Sequence, residues 1–222
     1  HKDGIFFDLQ SPESFDEVFF KTFKEIDYNI NLKIFLSLIL KKYEKNRYLS
    51  KNNNNYKRIR LINSLFPNST ILITFRNPIQ HAYSLLNQHQ NFCLLQKEND
   101  FILHYMNYLG HNEFGLNYKF WNVPEKYHDT FALNHWLEQW LMFYKKILNE
   151  YENYKNVIFV CFDDFFINNS LIDKNINNLN IEKISKDFFQ KPTTKKINNI
   201  YDQDLLLACT EIFDKIKNKN NL

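Results

Sequence analysis

An arginine directly follows a continuous apolar, β-branched run of strand length, where it could bind an anion. The run TILITF covers residues 70–75, and Arg76 comes next. Asn77 can cap a following helix and Pro78 suits its first position, so free N–H groups would point to the same place. Ser84 lies about two helical turns further on and could add a hydroxyl donor. Together these groups could form an anion site, although a salt bridge for Arg76 and simple packing for Ser84 would explain the same pattern.

Composition excludes several other kinds of site. The chain has 28 Lys and Arg against 25 Asp and Glu, and these residues are interleaved, which is typical of a solvated surface and not of a nucleic-acid-binding patch. Only three glycines are present, so these residues contain no glycine-rich phosphate-binding loop. No His, Cys or Asp spacing indicates a metal site. We therefore expect neither nucleic acid nor a metal ion as a partner.

The cysteines and the apolar runs indicate the compartment. Cys93, Cys161 and Cys209 are odd in number and far apart, which argues against a disulfide framework and favours a reducing compartment. We therefore expect a cytoplasmic protein in which Cys161 is a buried small hydrophobe. No run approaches the roughly 18 apolar residues that a membrane-spanning helix needs, so no membrane span is expected.

Alternating strand and helix patterns predict the elements that must position these residues. TILITF and NVIFVCF (residues 156–162) are typical of parallel strands buried on both faces, and we expect them to be neighbours or near-neighbours in one sheet. RYLS (residues 47–50) is a short strand candidate. Helices are predicted near residues 11–23, 31–44, 56–66, 78–91, 101–110, 131–151 and 202–219. Residues 111–129 predict a loop, and the whole order predicts an α/β fold.

Two of the predicted helices have an apolar side. On the helix near residues 31–44, that side comprises Ile34, Phe35, Leu38, Ile39 and Tyr43. On the helix at residues 131–151, the predicted buried side comprises Leu133, Trp136, Leu137, Trp140, Tyr144, Ile147 and Leu148.

The stretch FPNSTILITFRNPIQHAYSLL, at residues 66–86, resembles the sulfotransferase pattern of FP-x-A, an apolar strand, R-[DN]-P and a serine. Other segments of the family's sequence pattern are resembled, in the same chain order, by residues 3–20, 49–59, 135–165 and 201–216. Within them, HWLEQWLMFY is similar to YWLxxWxxxY, and NVIFVCFDDF is similar to NVxFVxYEDL. The resemblance implies one domain over residues 1–222. It also implies a three-layer α/β/α fold with a mainly parallel central sheet, similar to P-loop nucleotide-binding proteins.

The resemblance also implies an activity, a donor and the residues that bind it. Members transfer a sulfuryl group from 3′-phosphoadenosine 5′-phosphosulfate (PAPS) to a hydroxyl or amine, here of a small-molecule or glycan acceptor, without a metal. Arg76 and Ser84 match the residues that bind the 3′-phosphate of PAPS and of its product PAP. The basic residues of KPTTKK, namely Lys191, Lys195 and Lys196, are expected to close over that phosphate.

Catalytic roles follow from the same resemblance. Lys51 is expected to stabilise the negative charge that develops on the sulfuryl group during transfer, although a surface lysine beside an asparagine-rich turn is the alternative explanation. A general base must deprotonate the acceptor. His111 and Glu113, which lie between two glycines, are the preferred bases, and His89 and His135 are the other options.

Two features depart from the family pattern. FDDF at residues 162–165 replaces YEDL, with Asp163 at the glutamate position. The family's first strand and its donor-phosphate loop, R-S-G-T-T or K-[ST]-G-T-T, would lie upstream of His1. A non-catalytic nucleotide-binding or scaffold domain is therefore an alternative function. A nucleotide kinase is disfavoured, because neither G-x-x-x-x-G-K-[ST] nor a clear magnesium-binding aspartate pair is present.

Overall fold

The computed structural model describes residues 16–163 and 194–219. Within these ranges the chain is mainly helical, with one small parallel sheet of two strands. The strands are β1 (Ile71–Phe75) and β2 (Val157–Cys161). The α-helices are α1 (Asp16–Thr22), α2 (Tyr28–Lys42), α3 (Ile59–Leu65), α4 (Pro78–Glu98), α5 (Asp100–Leu109), α6 (Leu133–Tyr151) and α7 (Gln203–Lys219). Short 3-10 helices cover Glu25–Asp27 and Asn53–Arg58.

The chain separates into two compact units. The first unit comprises His1–Pro67 and His104–His111, and the second comprises Asn68–Leu103 and Asn112–Leu222. The parallel sheet, α4, α6 and α7 belong to the second unit. The first unit contains α1, α2, α3 and both 3-10 helices.

The two strands pair as the sequence predicts. β1 and β2 are parallel neighbours, with Ile71 opposite Val157 and Phe75 opposite Cys161, which confirms the predicted pairing. The expected burial on both faces was wrong for β1, because Ile73 and Phe75 are buried whereas Leu72 and Thr74 are exposed. Successive side chains of a strand point to opposite faces, so this alternation means that only one face of β1 is covered.

Helix α6 forms the centre of the second unit. All seven residues of its predicted buried side are buried, which confirms that prediction. His135, Glu138 and Gln139 are buried as well, so the first half of α6 is enclosed on every side. The helix packs against α4 and α7. Helix α4 itself extends to Glu98, beyond the predicted end near residue 91.

In the first unit, the strand predicted at residues 47–50 was wrong. Residues 47–50 form no strand, and the side chains of Tyr48 and Ser50 instead donate hydrogen bonds to the carboxylate of Asp16. Helix α2 buries Leu32 and stacks Phe35 on Phe19 with ring centroids 5.0 Å apart. Ile34, Leu38 and Tyr43, three of the five residues on the apolar side named from the sequence, are exposed. Both faces of α2 are apolar, so hydrophobic periodicity could not identify the buried one.

Helix α5 stops at Gly110, as predicted. The N–H of His111 bonds to the carbonyl of Met106 at 2.9 Å, and the N–H of Gly110 bonds to that of Asn107 at 3.2 Å. This pair of bonds is the Schellman helix ending, which needs a left-handed residue, and Gly110 has a φ of 79°. The ammonium of Lys21 donates to the carbonyls of Asn107 and Tyr108 at 2.6 and 3.2 Å, which gives Asn107 a second hydrogen bond and satisfies Tyr108, another carbonyl of the last turn.

No helix within residues 16–163 and 194–219 is long and apolar enough to cross a membrane.

Candidate functional site

The candidate site lies at the carboxyl edge of the two-stranded sheet, in the second unit. Arg76 follows the last residue of β1, and Phe162 and Asp163 follow the last residue of β2. Because the strands are parallel and in register, both of these short segments leave the sheet at the same edge. The guanidinium of Arg76 lies over the ring of Phe162, with its central carbon 5.5 Å from the ring centroid.

Helix α4 begins at this edge with a well-formed cap. The side chain of Asn77 accepts a hydrogen bond from the N–H of Gln80 at 3.2 Å, and Pro78 occupies the first helical position. Both features match the sequence prediction and leave the positive end of the helix dipole beside Arg76. One donor is already in use, because the N–H of Asn77 donates to the Asp163 carboxylate at 2.6 Å.

Two buried nitrogen atoms near this helix end have no hydrogen-bond partner among the described residues. They are Nε of Arg76 and Nδ1 of His81. Arg76 also forms no ion pair within the described part of the chain, so the salt bridge that could explain it from sequence is not observed there. Buried polar atoms are usually satisfied, and Nε of Arg76 is a donor, so a hydrogen-bond acceptor beside it is an economical explanation.

His81 was not singled out from the sequence. Burial of its imidazole, together with the nearby positive charge of Arg76, lowers its pKa from 6.5 to about 4. The ring is therefore neutral at physiological pH and can offer one N–H and one acceptor nitrogen. The sequence signal for His81 was its position in the first turn of the helix that begins two residues after Arg76.

Ser84 and Lys195 are connected to the same helix end through Gln80. The hydroxyl of Ser84 donates to the carbonyl of Gln80 at 2.9 Å. The side chain of Gln80 donates to the carbonyl of Lys195 and accepts from its N–H, both at 3.0 Å. These two hydrogen bonds fix the backbone of Lys195 beside the first turn of α4. The ammonium of Lys195 lies 5.9 Å from the ring centroid of Tyr83.

Arg76 precedes the start of α4, Lys195 is bonded to Gln80 in its first turn, and Ser84 lies in its second turn. Lys196 is the exposed neighbour of Lys195. Lys191 lies outside the described residues.

Lys51 belongs to the first unit, where an asparagine-rich turn surrounds it. Its exposed ammonium donates to the side chain of Asn53 at 3.1 Å. Asn52 caps the 3-10 helix by accepting from the N–H of Asn54 at 2.9 Å, and it also donates to the carboxylate of Glu17 at 2.7 Å. The side chain of Asn52 thus serves the turn itself.

The two preferred general bases lie in different units. His111 is in the first unit, directly after the Schellman ending of α5, and is partly buried. Glu113 is in the second unit and is buried. Gly115, two residues later, donates its N–H to Nδ1 of His89 at 3.3 Å.

His89 and His135, the other two options, are buried in the second unit. Nδ1 of His135 lies 2.7 Å from the carbonyl of Tyr127, so this nitrogen must carry the proton. Its Nε2 then accepts from the hydroxyl of Tyr118 at 3.0 Å. Burial lowers the pKa of both histidines below 6.5. The nearby ring of His135 lowers the pKa of His89 further. His135 is thus a neutral core histidine with both ring nitrogens satisfied.

A set of buried polar side chains holds the loop at residues 112–131, and sequence reasoning missed most of it. Glu138 accepts from the N–H groups of Lys126 and Tyr127, both at 3.0 Å. Gln139 accepts from the N–H of Asn122 at 3.1 Å and donates to its carbonyl at 2.7 Å. Glu138 and Gln139 interrupt the otherwise apolar stretch WLEQWL, and this interruption was the signal available in the sequence.

Among the residues that the structure describes, no group of three or more His, Cys, Asp or Glu side chains is placed to hold a metal ion. In comparisons with known proteins, the chain matches no family model, no curated protein and no solved structure.

Proposed function

We propose that the chain is a sulfotransferase that moves a sulfuryl group from PAPS to a hydroxyl or amine of a small-molecule or glycan acceptor. In this proposal the two-stranded sheet is part of a three-layer α/β/α fold with a mainly parallel sheet. Arg76, Ser84 and Lys195 bind the 3′-phosphate of the donor. The proposal rests on the resemblance of residues 66–86 to the family and on the arrangement of groups at the start of α4.

The observation that carries the proposal is the pair of unsatisfied buried nitrogens beside the helix terminus. Nε of Arg76 can donate to a phosphate oxygen, and the guanidinium supplies a permanent positive charge next to it. The start of α4 adds the partial positive charge of the helix dipole. A dianionic phosphate would thus meet a cation, a helix terminus and the tethered Lys195 at one place.

Two groups must rearrange for such binding. The Ser84 hydroxyl now donates to the carbonyl of Gln80, so it would rotate toward the ligand to contribute a hydrogen bond. The Asp163 carboxylate occupies the N–H of Asn77 and would repel a phosphate at the same position. Asp163 therefore limits the affinity of the site for an anion.

In the transfer step, the acceptor oxygen or nitrogen forms a bond to sulfur while the bond from sulfur to the phosphate oxygen of the donor breaks. The products are the sulfated acceptor and PAP, and the acceptor's proton goes to a base. Lys51 is proposed to stabilise the negative charge of the group in transfer.

A second function, a nucleotide-binding domain without transferase activity, is favoured by a specific observation. Glu113, His89 and His135 are three of the four general-base options, and each is no more than 6% exposed. A buried base cannot reach the hydroxyl of an incoming acceptor without movement of the surrounding loop. Donor binding with no turnover would support this second function.

Donor binding is tested by calorimetric titration of the full chain with PAP. Arg76→Ala should weaken binding by about 10- to 150-fold, because a hydrogen bond to a charged group contributes about 1.5–3 kcal/mol. Ser84→Ala should cost about 1 kcal/mol, as expected for a neutral donor. Arg60→Ala, which removes an exposed arginine of the first unit, is the matched control and should leave the affinity unchanged.

Asp163→Asn provides a test with the opposite sign. It keeps the shape of the side chain and removes its negative charge, so the affinity for PAP should rise. Unchanged binding in both Arg76→Ala and Asp163→Asn would rule out this edge of the sheet as the phosphate site.

Transfer is tested with radiolabelled PAPS and a panel of hydroxyl and amine acceptors. Lys51→Ala should lower turnover by about 10²–10³-fold, as for removal of one oxyanion donor, while PAP binding changes far less. Lys51→Arg should not restore full activity, because a planar guanidinium replaces a compact ammonium. Equal turnover in the wild type and in Lys51→Ala would remove Lys51 from the mechanism but leave the phosphate site intact.

A further inference from the structure

One face of α2, with the 3-10 helix before it, presents a row of aliphatic side chains to solvent. Ile26, Ile30, Ile34 and Leu38 are 85%, 71%, 51% and 61% exposed. Residues four apart on a helix are neighbours on its surface, so Ile30, Ile34 and Leu38 form one continuous apolar stripe. Contiguous apolar patches of this kind on a soluble protein mark sites of interaction.

The opposite face of α2 already has its partners within the first unit. Leu32 is buried, and Phe35 stacks on Phe19. Tyr28 meets the ring of Phe20 edge-on at 5.1 Å and donates its hydroxyl to the Phe20 carbonyl at 3.1 Å. The helix therefore does not need its exposed stripe to pack within its own unit.

The charges at the two ends of the stripe indicate what the stripe binds. Asp27 and Lys41 each lie seven residues from Ile34, so all three lie on nearly the same face of the helix. Both charged residues are exposed. The face thus begins with a negative charge, continues with aliphatic side chains and ends with a positive charge.

A surface with this order is complementary to itself when turned around. If two α2 helices pair antiparallel about Ile34, Ile30 of one faces Leu38 of the other, and Asp27 faces Lys41. Parallel pairing would instead place Asp27 beside Asp27 and Lys41 beside Lys41, which is repulsive. The antiparallel arrangement also aligns the two helix dipoles favourably.

We propose that the exposed face of α2 binds the same face of a second copy of this chain in an antiparallel, two-fold-symmetric helix pair. In such an interface each contact away from the two-fold axis occurs twice, so one substitution per chain at Asp27, Leu38 or Lys41 removes two contacts. The proposal is independent of the phosphate site and of sulfuryl transfer.

Sedimentation velocity and light scattering of the full chain test the apolar part. The wild type should be a dimer. Leu38→Glu should raise its dissociation constant by at least about tenfold, since it introduces one charge per chain into the apolar interface. Leu207→Glu is a matched control: Leu207 is also a helical leucine with 61% exposure, but it lies on α7. It should leave the mass unchanged.

Charge exchange tests the orientation. Asp27→Lys and Lys41→Asp should each weaken the dimer, and the double variant should restore it, because its ends are again complementary. Thermal unfolding by circular dichroism verifies that each variant folds. A wild type that stays monomeric, or a dimer that survives Leu38→Glu, would overturn the proposal. So would a Leu38→Glu chain that loses thermal stability without a change of mass, since the stripe would then be covered within one chain.

Discussion

The two units hold their irregular segments with different chemistry. In the first unit, the segment at residues 48–58 is fixed by carboxylates: Glu17 receives two hydrogen bonds from Arg58, at 2.5 and 2.9 Å, and one from Asn52. In the second unit, the loop at residues 112–131 is fixed mainly by side chains that bond to the backbone. The loop has no strand or helix whose backbone could pair with its main-chain groups, so Gln139 and Glu138 provide the partners.

This difference teaches what each segment depends on. The first unit relies on an ion pair whose two members must both be present and charged. The second unit relies on amides, a carboxylate and neutral imidazoles that replace the missing backbone ladder, because buried N–H and C=O groups must be paired. We therefore expect the two regions to respond differently to shape, charge and pH.

The largest expected effect concerns shape, and the two left-handed glycines provide the comparison. A Cβ on Gly115, with φ of 89°, would lie 2.3 Å from Oε1 of Gln96, which itself accepts the N–H of Leu116 at 2.7 Å. Gly115→Ala should therefore lower the free energy of unfolding by about 3–5 kcal/mol, through backbone strain and overpacking together.

Gly110→Ala in the first unit is the matched variant. Its Cβ would meet Cβ of Glu17 at 2.9 Å, and its other close neighbours belong to the flexible end of Lys21. The loss should be about 1–3 kcal/mol, mostly strain from the φ of 79°. Urea unfolding of both variants measures the difference, and an equal loss would mean that the contact with Gln96 is relieved by movement of the loop.

The second effect concerns charge. Glu17 is 12% and Arg58 15% exposed in their side chains. Burial acts to raise the pKa of Glu17, but the hydrogen bonds from Arg58 and Asn52 outweigh it and hold the pKa below its usual value. Glu17→Gln keeps the shape and removes the charge, and it should cost about 1.5–3 kcal/mol.

Glu152→Gln is the control for this variant. Glu152 pairs with Lys219 at 3.9 Å, and their side chains are 47% and 35% exposed. An exposed pair contributes less than about 1 kcal/mol, so this change should be nearly silent in the same unfolding experiment. Similar losses for both glutamates would show that the burial of the Glu17 pair has no energetic consequence.

The sequence predicted the framework of the second unit better than its details. The apolar runs identified β1, β2 and the buried side of α6, because each carries a single strong period or a continuous β-branched stretch. They could not identify the hydrogen bonds that Glu138 and Gln139 form with the loop, since a polar residue inside an apolar helix gives no indication of the backbone groups it bonds to. In α2, two apolar faces made the periodicity ambiguous.

The candidate site was predictable to a similar degree. Arg76, Asn77 and Pro78 stand where the strand-to-helix pattern placed them, because local capping rules determine a helix start. The tie between Gln80 and Lys195 joins segments more than a hundred residues apart in sequence, so no local pattern could reveal it. The burial of Glu113 likewise depends on the packing of the whole loop.

The third effect concerns pH. The pKa values of His81, His89 and His135, all in the second unit, lie below 6.5 in the folded chain. As pH falls below 6.5, the unfolded chain binds protons that these folded imidazoles do not, so stability is lost until the folded pKa is passed, about 4 for His81. Each histidine contributes at most about 1.4 kcal/mol per pH unit.

The first unit should respond in a lower window. Glu17 stabilises the fold above its unfolded pKa of 4.5 and loses that contribution as pH falls through its depressed folded value. All three tryptophans lie in the second unit. Their fluorescence during urea unfolding at several pH values therefore reports the unfolding of the second unit and not of the first. His81→Gln should flatten the dependence between pH 6.5 and 4, and His104→Gln, at an exposed position of the first unit, should not. Identical curves for both variants would contradict the assignment.

The last comparison separates the two kinds of hydrogen bond with one matched pair of tyrosines. Tyr48 donates to the Asp16 carboxylate at 2.7 Å in the first unit, and Tyr118 lies 3.0 Å from Nε2 of His135 in the second. Both are partly buried, and each change to phenylalanine removes one hydroxyl. Tyr48→Phe should cost about 1.5–3 kcal/mol because its acceptor is a carboxylate, whereas Tyr118→Phe should cost about 1 kcal/mol because its acceptor is a neutral imidazole. Urea unfolding at neutral pH measures both losses. If the two losses are equal, then carboxylates and imidazoles stabilise their segments alike, and the contrast between the units lies only in their response to pH.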